Sequence, residues 1–138
     1  MKIELKAESE AQFLSKYLEF YNLLVLPEQR LNPSEIDLII EFALLPPKFE
    51  YQRFGSLAKT KVIESTAARN WHLTKLNINN KLYALLDKKF LKRDIDKVIY
   101  LPKHIQQALS SFRKEKLYTI NVVFDGTNQN NADNTENS

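Results

Sequence analysis

The side chains of this chain whose spacing could do chemistry are amides and cations, not catalytic groups. Asn77, Asn79 and Asn80 are followed by Lys81, and Thr74 and Lys75 stand just ahead of them. Lys88, Lys89, Lys92, Arg93 and Lys97 come next. A carboxamide donates and accepts at once, which matches the paired donor and acceptor on the major-groove edge of adenine. Ammonium and guanidinium groups at short spacing suit a row of phosphates, which position a protein without specifying sequence.

Catalytic and metal chemistry find no such pattern. There is no cysteine, so no thiolate nucleophile, disulfide or Cys-based zinc site. The two histidines, His72 and His104, lie far apart in sequence, with no HExxH or paired-acid arrangement. Gly55 and Gly126 are the only glycines, too few for a phosphate-cradling loop. No serine sits in a G-x-S-x-G setting. The expectation is a binding module that is not an enzyme and uses no cofactor or metal.

The amides and cations must be held by the elements around them. Leu73 to Leu101 reads as an amphipathic helix, about residues 75–88, followed by a short basic hairpin, 91–101. Thr74 suits the N-cap. At 100° per residue, Ile78, Leu82, Leu85 and Leu86 fall within an arc of about 100° and should pack on the body. The opposite arc carries Asn77, Asn80, Tyr83, Ala84 and Asp87, with Asn79 and Lys81 at its borders. Asn is a weak helix former, so three of them on a helix point to a use other than helix stability. Past Leu91 the period changes to alternation. Asp94-Ile95-Asp96 forms the turn, which has no Gly. The acidic tip argues for a hairpin whose stems, not its tip, meet a polyanion.

Ahead of that stretch, Lys2 to Ala7 alternates as a short half-buried strand. Ser9 caps a helix with Phe13, Leu14, Tyr17, Leu18, Tyr21, Leu24 and Val25 on one apolar face, stopped by Pro27. Asn32-Pro33-Ser34-Glu35 is a capping-box start for a helix burying Ile36, Ile39, Ile40, Ala43 and Leu44. Residues 48–55 read as an irregular link. Ser56 caps a helix from Leu57 to Arg69, with Leu57, Val62, Ile63, Thr66 and Ala67 inward. After the hairpin, Pro102 precedes a helix over 103–116 with Ile105, Ala108, Leu109 and Phe112 inward. Residues 117–124 have strong β composition and are able to pair with the first strand. Residues 125–138 have almost nothing apolar and are expected to be a flexible tail, ordered only by a protein partner.

With those elements in place, residues 31–101 resemble the winged helix-turn-helix proteins of the MarR type and related phage and plasmid DNA-binding proteins. That pattern enters its recognition helix with Leu-Ser/Thr-x-x-x-Val/Ile, here Leu73-Thr74-Lys75-Leu76-Asn77-Ile78. It leaves through Leu-x-x-x-Gly-Leu-Ile-x-Arg, here Leu85-Leu86-Asp87-Lys88-Lys89-Phe90-Leu91-Lys92-Arg93. Lys89 stands where the pattern has Gly, and a Lys in a left-handed helix-ending conformation costs on the order of 1 kcal/mol. The resemblance implies a major-groove helix and a wing on the backbone. Thr74, Lys75, Asn77, Asn79, Asn80, Lys81, Lys88, Lys92, Arg93 and Lys97 are the DNA-binding residues expected on the two arguments together.

Charge agrees with an anionic partner. Residues 1–47 hold 4 Lys/Arg against 8 Asp/Glu, a net of −4; residues 48–116 hold 16 against 6, a net of +10; residues 117–138 hold none against 3, a net of −3. A basic middle with acidic flanks assigns one face to a polyanion and another to something else. Apolar runs such as Leu23 to Leu26 are too short to span a bilayer, and the first ten residues have no signal core. A cytoplasmic protein is expected.

The fold expected is α+β, mainly α. It has an N-terminal strand and helix (1–30) for packing or dimerisation, a winged-helix domain (31–116), a C-terminal strand (117–124) and a polar tail (125–138). The function expected is sequence-preferring binding of double-stranded DNA by a homo-oligomer, as in a transcriptional regulator. Two alternatives stand beside it. One is a phage virion or connector adaptor that uses the fold for protein contacts, in a dimer or a ring. The other is a replication initiator.

Overall fold

A computed structural model describes residues 2–121 of the chain. The order is β1 (Lys2–Lys6), α1 (Glu10–Leu24), α2 (Pro33–Ala43), α3 (Ser56–Ala67), α4 (Lys75–Asp87), β2 (Lys92–Arg93), β3 (Ile99–Tyr100), α5 (Lys103–Glu115) and β4 (Leu117–Asn121). The fold is α+β and mainly helical, with two small antiparallel sheets, β1–β4 and β2–β3. The first joins the two ends of the described chain, pairing Ile3 with Ile120 and Leu5 with Tyr118. The pairing expected between the first and last strands is present over Leu117–Asn121. Residues 122–124 and the tail expected over 125–138 lie outside the described residues.

Each helix begins where local chemistry allows. Ser9 accepts from Gln12 N at the start of α1. Asn32 and Glu35 form a reciprocal capping box at α2, with Pro33 in its first turn. Such caps satisfy N–H groups that the helix itself leaves unpaired. At its other end, Arg53 donates to the carbonyl oxygens of Phe42 and Leu45, where α2's dipole is negative.

Three local expectations are corrected. Ser56 is not the cap of α3; it is the first helical residue, and Gly55 takes the cap position without a side-chain bond. The link over 48–55 is not irregular throughout, because Pro47–Gln52 forms a 3-10 helix. Leu57 and Leu24, placed inward by spacing, are both exposed. Each stands at a helix end, where neighbours no longer cover the whole apolar arc.

The core runs through the centre of α2, which buries Leu38 and Phe42 in addition to the expected Ile36, Ile39, Ile40 and Ala43. A helix enclosed on most sides loses its amphipathic stripe. Phe13 of α1 stacks on Phe112 of α5 with ring centroids 4.5 Å apart, and Tyr118 of β4 meets Phe13 edge-on. These contacts unite α1, α5 and the β1–β4 sheet. Ala58, Val62 and Thr66 turn α3 inward, and Ile78, Leu82 and Leu85 do the same for α4. Among the described residues no helix is long and apolar enough to cross a membrane.

Candidate nucleic-acid interface

α4 ends at Asp87, and the chain turns through Lys88 into Lys89, whose φ is 64°. Phe90 N and Leu91 N both donate to Leu85 O, which closes the helix end. Lys89 thus adopts a left-handed conformation, although it is not Gly. The hairpin repeats this. Lys97 N donates to Asp94 O, Asp94 N donates to Val98 O, and Lys97 has φ 63°. That is a three-residue loop ending in a left-handed residue, a position usually filled by Gly. Asp94 Oδ1 accepts from Asp96 N and Val98 N at 2.9 Å each. The first acid of the tip therefore serves the turn itself, and Ile95 projects from it almost wholly exposed.

The ten residues expected to meet DNA do not form one surface of equivalent side chains. Thr74 and Asn77 are occupied by α4's own start. Thr74 Oγ1 accepts from Asn77 N, and Asn77 Oδ1 accepts from Thr74 N, both at 3.1 Å. One of the three asparagines thus has a structural use that its exposed position on the wheel hid.

Lys81 and Lys88 turn toward the start of α2. Lys81 Nζ donates to Ser34 Oγ at 2.8 Å. Lys88 Nζ lies 2.5 Å from Glu35 Oε1, a carboxylate almost fully buried. Lys88 is thereby committed to holding α4 against α2.

Asn79, Arg93 and Lys97 come together with two residues outside the expected ten, Lys59 and Tyr83, around a cleft of about 390 Å³. Lys59 Nζ donates to Asn79 Oδ1 at 2.6 Å. Lys75 reaches Ser56 Oγ nearby, at 3.1 Å. Burial first, and then the charges of Lys75 and Arg93, hold the Lys59 ammonium below its ordinary value of 10.5. Among the described residues no carboxylate lines this cleft. Among the described residues the ion pairs are Arg69–Glu41, Lys88–Glu35 and Arg113–Glu10. The cations around the cleft therefore have no acidic partner within ion-pair distance. Lys92 lines a second cleft of about 420 Å³ with Lys89, Lys103, Tyr21, Tyr100 and Asp94, and Arg93 lines both clefts.

Asn80 is exposed, and its side chain makes no hydrogen bond within the described residues. It shares the outward side of α4 with Leu76, Tyr83 and Asp87, all exposed. Spacings of four, three and four residues align these side chains. Tyr83 is outward as the wheel places it, whereas Leu76 shows as outward only once the packed side of α4 is known. Lys59 lies twenty positions before Asn79, and no local spacing in the sequence links the two.

No family model, no curated protein and no solved structure matches the chain. The functional reading therefore rests on the residues and their geometry.

Proposed function

We propose that the chain is a winged helix-turn-helix protein that binds double-stranded DNA with sequence preference. In this reading α3 and α4 are the two helices of the motif, α4 enters the major groove, and the β2–β3 hairpin is the wing. The observation that carries it is the group of cations, Lys59, Lys75, Arg93 and Lys97, gathered at α4 and the hairpin with no carboxylate partner among the described residues. Crowded like charges destabilise a free protein, and a phosphate backbone relieves that cost.

A second feature supports it. Of the three left-handed lysines among the described residues, Lys89 leads into the hairpin, Lys97 ends its loop and Lys116 ends α5; at each, Gly would avoid a cost of roughly 1 kcal/mol. At Lys89 and Lys97, lysine trades stability for charge beside the hairpin. In this reading the division of labour is narrower than the sequence suggests. Asn80, with Leu76 and Tyr83 beside it, faces the bases; Arg93, Lys97, Lys75 and Lys92 face phosphates; Thr74, Asn77, Lys81 and Lys88 set the position of the helix.

Retention of labelled genomic fragments in gel shifts tests the proposal. Binding at nanomolar to submicromolar protein in low salt, falling steeply as salt rises, is expected. Fragments that stay free below micromolar protein at low salt would overturn it.

A protein-contact role also has an observation in its favour. Leu23, Leu24 and Leu26 are all exposed at the end of α1, away from the basic stretch in sequence and within the acidic first third. A dimer through this end would give two copies of α4, as a paired operator site requires. Mass measurement in solution separates a dimer from a ring-sized adaptor assembly.

A further inference from the structure

The cleft between α3, α4 and the hairpin has two layers, and only one of them suits a duplex backbone. Its rim is cationic: Lys59, Arg93 and Lys97. Its lower layer is apolar: Phe54 and Leu82 are buried, and Leu86, Val98 and Ile99 are half-buried. A backbone phosphodiester needs charge and hydrogen bonds and has nothing to place against five apolar side chains. Small organic ligands have both parts, and the sites that take them are concave and apolar with a few charged groups that fix orientation. At about 390 Å³ the cleft falls within the size range of such sites.

The chemistry of the rim narrows the ligand. Three cations facing one concavity, with no carboxylate among the described lining residues, exceed what a single carboxylate would neutralise. A phosphomonoester carries a charge of about −1.5 to −2 near neutral pH and offers three strong acceptors. Lys59 is half-buried, and Asn79 takes one of its three donors, leaving two for an anion. The exposed ring of Tyr83 lies on the same lining and offers a face for a flat partner.

We propose that this cleft binds a phosphomonoester with a flat organic body, the chemistry of a mononucleotide, with phosphate at Lys59, Arg93 and Lys97 and the body over the apolar layer beside Tyr83. Binding at the cleft does not depend on the DNA reading. Its consequence does: an occupant engages Arg93 and Lys97, so it competes with the phosphate grip of the hairpin.

The test uses the full chain and three probes, adenosine monophosphate, adenosine and inorganic phosphate, followed by backbone amide shifts in NMR. Adenosine monophosphate is expected to bind in the micromolar to submillimolar range, with shifts grouped at residues 54–59, 79–86 and 93–99. Adenosine and phosphate alone should each bind at least about tenfold more weakly, because each keeps only one of the two layers. Lys97→Gln, at an exposed position, and Arg93→Gln should each weaken the nucleotide by about three- to tenfold, with the unshifted spectrum retained. Equal binding of phosphate and nucleotide would overturn the proposal and leave a plain anion site. So would shifts scattered over surface lysines, or none at millimolar nucleotide.

A gel shift with and without the nucleotide completes the test. Nucleotide binding without DNA retention removes the DNA reading and leaves the cleft assignment standing. DNA retention without nucleotide binding does the reverse. Retention undiminished at saturating nucleotide overturns the competition.

Discussion

Lys88 Nζ lies 2.5 Å from Glu35 Oε1, and the same oxygen accepts from Asn32 N at 2.9 Å. One buried carboxylate thus closes the capping box of α2 and ties down the end of α4. Removing Lys88 leaves the carboxylate buried without its cation, which is strongly destabilising; replacing both partners is far milder. Lys88→Met should cost about 2–4 kcal/mol in urea unfolding, discounted for the partly exposed lysine. Glu35→Gln/Lys88→Met should recover most of that loss. A double variant no more stable than Lys88→Met would show that the pair is not the source.

The interface makes separable predictions for α4 and the hairpin. Asn80→Ala should cost about 1–3 kcal/mol on a preferred site and relax preference at one base pair, with the salt slope unchanged. Arg93→Gln and Lys97→Gln should weaken all sequences alike, each lowering the slope of log K against log salt by about 0.9. Titrations at three salt concentrations distinguish the two patterns. A sequence-specific loss from Lys97→Gln would contradict the assignment of Lys97 to the backbone.

The two left-handed lysines at the hairpin, Lys89 and Lys97, predict a trade. Lys89→Gly and Lys97→Gly should each change stability by roughly 0 to +1 kcal/mol, since relief of φ strain is partly offset by added freedom of the unfolded chain. The same variants should bind DNA more weakly. Thermal unfolding and gel shifts on one preparation read both. Stabilisation with undiminished binding would remove the functional reason for lysine at these positions.

His104 predicts a pH dependence. Its ring stacks on Tyr21 and Tyr17, and its Nδ1 lies 2.9 Å from the Tyr17 hydroxyl. Burial lowers its pKa from the ordinary 6.5, and burial likewise raises that of Tyr17 to about 12. In the unfolded chain His104 takes up a proton near its ordinary value, before the folded protein does. Its contribution to stability is therefore complete above about pH 6.5 and declines as pH falls toward the lowered folded value. His104→Phe should flatten the pH dependence of unfolding between pH 7.5 and 5.5. An unchanged slope would place the dependence elsewhere.

Much of this architecture was legible because its signals are local. Asn32-Pro33-Ser34-Glu35 starts a helix wherever it stands, since the cap and its acid are three residues apart. The wheel of α4 identified Ile78, Leu82 and Leu85 as its packed side. The change of period after Leu91 located the hairpin, although its paired strands are only two residues each. Ser56 misled for a local reason too: a good capping residue lost to the glycine before it.

By itself, then, the sequence determined the order and types of the elements and a basic middle, because capping, periodicity and charge act over a few residues. Only the tertiary structure decided which cations are available. Lys88 and Arg93 look alike in sequence, yet one meets Glu35, 53 positions away, and the other has no ion pair among the described residues. It also assigned the asparagines, giving Asn77 to a cap, Asn79 to Lys59 and leaving Asn80 outward. The physical reason is that a side chain's use depends on its through-space partners, and those are set by how α2, α3 and the hairpin pack around α4.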